Sequence, residues 1–82
     1  MNSKHTEAEM AIHRCTRLSP DEKKLSPQER QSLIEDRFDS AIVEMQERYE
    51  RHTALGNTWQ AALTFQNIGK LRAARHLFKA VS

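Results

Sequence analysis

The sequence predicts an all-α protein, a small three- to four-helix chain with a long central helix and an antiparallel helical hairpin. Three observations carry this. Two glycines and two prolines in 82 residues leave little for the turns of a β-rich chain. Three helix-start signals of the capping-box type occur, at Thr6-Glu7-Ala8-Glu9, Ser19-Pro20-Asp21-Glu22 and Ser26-Pro27-Gln28-Glu29. Between Ile34 and His52, apolar residues recur at three- and four-residue steps, the stripe of an amphipathic helix.

The first element opens at Thr6. Ala8, Ile12, Cys15 and Leu18, with Ala11 beside them, lie at helical spacing and predict a helix over 7–17 with a narrow apolar face. Leu-Ser-Pro-x-Glu then occurs twice, opened by Leu18 and by Leu25. The two boxes cannot head one helix, because Pro27 disfavours helical geometry at Ser26 and lacks an N–H. The first is expected to be a short capped turn. The second launches the main helix over 27–54, on the order of 40 Å long at 1.5 Å per residue. Glu44–Arg48 and Glu47–Arg51 add i,i+4 pairs in the favoured order.

Gly56 stands where a C′ residue belongs, and Asn57 is a start signal with Gln60 three residues on. A stop touching a start means a tight reversal, so 58–81 folds back on 27–54 as an αα-hairpin. On a single helical wheel Ala61, Ala62, Phe65 and Ile68 make a face that Arg72, Arg75, His76 and Lys79 would continue past Gly69. Gly costs about 1 kcal/mol in a helix interior, so a break at 67–69 is expected; the alternative is one helix with two faces for two neighbours. This divides the chain into an N-terminal arm, 1–25, and a helical hairpin domain, 26–82.

Composition bounds the function. Apolar residues at 38% and aromatics at 6% are low, and a core of this size supplies only roughly 3–5 kcal/mol, so partner contacts or self-association into an oligomer fit such a chain. No apolar run can span a bilayer, and MNSKHTEAEM lacks the apolar core of a signal peptide; a cytoplasmic protein without a membrane span is expected. Cys15 is the single cysteine and is read as a small buried hydrophobe. Residues 1–54 hold 9 Lys+Arg and 11 Asp+Glu, whereas 55–82 hold four cations, Lys70, Arg72, Arg75 and Lys79, and no acid. The last third is basic.

The residues WQAALTFQNIGKLRAARHLFKAV, 59–81, resemble one tetratricopeptide repeat. Ala62 takes the small position of its first helix, Phe65 the aromatic, Gly69 the turn, Leu71 the large residue after it, Ala74 the alanine and Phe78 the second aromatic. Val81, a displaced Trp59 and the lack of a closing Pro depart from the pattern. The resemblance implies a unit that cannot bury its own faces and uses one of them for a partner. In format the chain is also similar to the small cochaperones of bacterial type III secretion, which implies a cytoplasmic protein that holds an export substrate.

No nucleophile motif, phosphate-binding loop or metal signature is present, so neither an enzyme nor a cofactor or metal site is expected. Glu9 and His13 share a helix face but lack a third ligand and are read as a surface pair. His5 and His52 are read as surface residues, Met10 and Met45 as core filler, and Trp59 as core or partial core. The leading reading is a non-enzymatic interaction protein, an adaptor or small chaperone that docks a partner helix through Phe65, Ile68, Leu71, Leu77 and Phe78, with Arg72 and Arg75 steering an acidic partner. The alternative is a small nucleic-acid-binding regulator using the basic C-terminal helix; against it, those cations can complement the helix dipole and meet the acidic long helix.

Overall fold

The structure is a computed structural model that describes residues 6–80, with side chains placed through Phe78. His5, Val81 and the Lys79 side chain, each given a role above, lie outside the described residues. Three helices follow in order, α1 (Glu7–Thr16), α2 (Pro27–Ala54) and α3 (Thr58–Ala80), with a single 3-10 turn at Glu22–Lys24 between α1 and α2. No strand occurs among the described residues.

All three capping boxes form. The Thr6, Ser19 and Ser26 hydroxyls accept from the N–H groups of Glu9, Glu22 and Glu29, whose carboxylates accept in return from the N–H groups of Thr6, Ser19 and Ser26. These bonds satisfy donors that a helix start leaves without intrahelical partners. The doubled Leu-Ser-Pro-x-Glu thus makes a capped 3-10 turn and then the start of α2. Arg17, the last residue expected in the first helix, is extended and caps it.

At the other end of α2 the Asn57 N–H donates to the His52 carbonyl and the Gly56 N–H to that of Thr53, the paired bonds of a Schellman stop. Gly56 takes φ +78°, a left-handed conformation that a side chain would strain. The Ala61 N–H donates to the Asn57 carbonyl, so α3 begins within two residues of that stop. The hairpin is as tight as the sequence implies.

The expected break at 67–69 is not there. α3 runs unbroken through Gly69, and no turn separates two halves of 59–80. The reason is a seam that crosses the glycine without a gap: Ala61, Thr64, Ile68, Leu71, Arg75 and Phe78 follow at alternating three- and four-residue steps, all buried or half-buried. Thr64 and Arg75 are polar, which hides this stripe from a count of apolar residues. Gly69 itself points to solvent, where an added Cβ would meet nothing within 4 Å.

One core joins all three helices. Ala8, Ala11 and Cys15 from α1 meet Ile34, Phe38, Ile42 and Met45 from α2 and Ile68 and Leu71 from α3. Phe38 and Leu71 are its largest fully buried side chains, each worth about 1.5–3 kcal/mol of apolar burial. The small residues of α1 let it lie close over the α2–α3 groove, and Phe78 closes one end against Phe38 with ring centroids 6.3 Å apart. Arg48 pairs with Glu7, while Arg37 pairs with Glu22 and donates to the Arg17 carbonyl at 2.8 Å. Arm and hairpin therefore share their core and two ion pairs.

Candidate docking face

Burial sorts the expected contact residues into two sets. Ile68 (6% exposed) and Leu71 (0%) are core, so they cannot receive a partner in this fold; they face α1 and α2 along the seam. Phe78 is half-buried against Phe38. Arg75 lies over α2, where its Nε is 2.8 Å from Asp39 Oδ1, an ion pair between the basic helix and the acidic one. Phe65, Arg72 and Leu77 remain exposed.

Trp59 is not core. At 74% exposed it stands in solvent at the second residue of α3, just past the hairpin turn. Leu63, which sequence reasoning passed over, is also exposed. Trp59, Leu63, Lys70 and Leu77 form a second stripe at four- and seven-residue steps, exposed beside the seam, with Leu63 and Lys70 lining a groove they share with Thr6, Glu7, Arg48 and His52. Beside it run Ala62, Gln66, Gly69 and Ala73, all exposed and mostly small. Phe65, Arg72 and His76 stand on the far side of that line. The outward side of α3 is a shallow valley between two ridges.

At its N-terminal end the valley opens onto an apolar notch between α2 and α3, lined by Tyr49, Thr53, Gly56, Ala61, Ala62 and Phe65. The Tyr49 and Phe65 rings meet at 5.8 Å between centroids, which fixes the orientation of an otherwise exposed Phe65. A different groove, between α1 and α2, carries both signs of charge on its walls, with Arg14 and Arg51 beside Glu44 and Glu47. It has no single electrostatic character.

Other candidates have local explanations. The Glu9 carboxylate belongs to the α1 cap, and no group of three His, Cys, Asp or Glu fit for a metal occurs among the described residues. Burial pushes the Cys15 thiol above its ordinary value, as suits an inert core cysteine. Met45 is core as expected, whereas Met10 is half exposed at the rim of the α1–α2 groove. His52 is half-buried and not a surface residue; its Nδ1 is enclosed without a hydrogen-bond partner among the described residues. No described helix is long and apolar enough to cross a membrane. In comparisons with known proteins, no family model matches the chain, and neither a curated protein nor a solved structure shows significant similarity to it.

Proposed function

We propose that this chain is a non-enzymatic protein–protein interaction module, an adaptor or small cochaperone that docks a partner helix on the outward side of α3. The observation behind this reading is that Trp59, Phe65 and Leu77, all large and apolar, stand 63–74% exposed on one helix of a chain with a small core. Several large apolar side chains exposed along one helix of a small domain support an interaction site. Phe65, Arg72 and Leu77 of the expected set stay in the site, and Trp59 and Leu63 join them. The format similarity to type III secretion cochaperones makes an export substrate the first client to try. A nucleic-acid reading would draw on Lys70 and Arg72, since Asp39 holds Arg75.

The test replaces Phe65 and Leu77 together by Asp and compares capture of partner from native lysate, with and without nuclease. Both positions are exposed, so the helical circular dichroism is expected to persist while capture of a stoichiometric protein is lost. Undiminished capture by the folded variant would show that the surface is misplaced, and capture lost only on nuclease treatment would favour nucleic acid.

A further inference from the structure

Charge on the outward side of α3 narrows the partner. No residue from 55 to 82 is acidic, whereas Lys70 on one ridge of the valley and Arg72 on the other are exposed cations. Arg75 pairs with Asp39, so among the described cations of α3 those without an acidic partner, Lys70 and Arg72, lie off the seam. Among the described residues neither Lys70 nor Arg72 pairs with a carboxylate: Glu7, across a groove from Lys70, is held by Arg48, and Asp39 by Arg75.

The valley floor adds a steric clue. Gly69 has ordinary helical φ, its missing side chain would meet nothing inside the molecule, and a glycine there lowers helix propensity. The fold gives no reason for it. With Ala62 and Ala73 on the same line it leaves a trough about 27 Å long between Trp59 and Leu77, taking 1.5 Å per residue. Close approach of a second helix backbone is what such small residues permit.

We infer that the occupant of this trough is an acidic amphipathic helix, with apolar side chains against Trp59, Leu63 and Leu77 and carboxylates reaching Lys70 and Arg72. The inference rests on the docking reading above and adds the chemical class of the partner. The apolar stripe supplies burial and the two ridge cations supply orientation, since charges at an interface rim discriminate between partners more than they add affinity.

Trp59 is the sole tryptophan and reports on the trough directly. The full-length protein is titrated with a 20-residue amphipathic helical peptide bearing leucines on one face and glutamates on the flanks, and separately with its isomer bearing lysines in place of the glutamates. The expected result is a saturable blue shift of Trp59 emission with the glutamate peptide, weakened by salt, and binding of the lysine isomer weaker by about tenfold or more. Gly69→Leu, whose side chain has open space in the free protein, should retain the fold and abolish the shift. Equal binding of the two isomers would overturn the acidic partner while leaving a helix-docking face in place. A blue shift that grows with protein concentration alone, with a dimer in sedimentation, would assign the trough to a second copy and overturn the inference. If neither peptide moves Trp59 and the protein stays monomeric, the inference and the docking reading fall together.

Discussion

On its inward side α3 carries Ala61, Ile68, Leu71 and Phe78 against two other helices, while on its outward side Trp59, Leu63 and Leu77 stand in solvent at the same kind of spacing. Each side is interrupted by polar residues, Thr64 and Arg75 within and Gln66 and Lys70 without. Helical periodicity alone therefore does not separate core from free surface in this segment. The neighbours decide: α1 supplies Ala8, Ala11 and Cys15, and α2 supplies Phe38 and Ile42, to one side only. An amphipathic helix with two apolar stripes is what a small protein needs if it is to fold on one and bind with the other.

The comparison can be broken most severely from within. Phe38→Ala removes the ring that meets Phe78 and lines the core under α1, and should lower stability by about 3–5 kcal/mol, comparable with the whole stability of a chain this size. Loss of cooperative urea unfolding would be the sign; a variant as stable as the parent would mean the core lies elsewhere.

Gly69 sharpens the comparison from the outward side. Gly69→Ala fills space that nothing occupies and improves helix propensity, so it should raise the urea midpoint by the equivalent of about 1 kcal/mol. A loss of stability would instead indicate the break at 67–69 that the sequence suggested. Arg75→Ala is the borderline case, since Arg75 belongs to the inward seam yet pairs with an Asp39 that is more than half exposed. Its loss should cost under about 1 kcal/mol and shrink in high salt.

The smallest effect concerns the caps. Glu22 is held below its ordinary value of 4.5 chiefly by the Ser19 N–H, then by the Arg37 guanidinium, and Glu29 by the Ser26 N–H and hydroxyl. Each therefore binds its proton more weakly in the folded chain than in the unfolded one. Their contribution is present above pH 4.5 and lost as the pH falls through the folded values. Acid titration followed by circular dichroism should show a loss of stability below pH 4.5 that Glu29→Gln reduces.

Much of the fold was legible in the chain because its signals are local. Ser26 with Glu29 fixed the start of α2, Gly56 fixed its end, and Ile34, Phe38, Ile42 and Met45 marked its buried face without ambiguity. These depend on residues within a turn or two of each other. α3 was harder because its seam contains Thr64, a threonine buried to 6% exposure, and Arg75, whose partner Asp39 is 36 residues away in sequence. Neither residue looks apolar, so the wheel drew Ala62 and Phe65 inward, and the usual burial of large aromatics drew Trp59 into the core. The site was half legible for the same reason: Phe65, Arg72 and Leu77 lie outside, but Ile68 and Leu71 could be recognised as core only once α1 and α2 were in place. Leu63 carried a signal that could have found it, being four residues from Trp59 and fourteen from Leu77 on one helical line.

The central claim, that α3 folds on one stripe and leaves the other free, is tested most directly by the urea unfolding of two matched variants, Leu71→Ala and Leu77→Ala. The side chains are identical and six residues apart on one helix, but Leu71 is 0% exposed and Leu77 is 65% exposed. The account predicts a loss of about 2–5 kcal/mol for Leu71→Ala and a change within about 0.5 kcal/mol for Leu77→Ala. Equal losses, or the larger loss at Leu77, would contradict it.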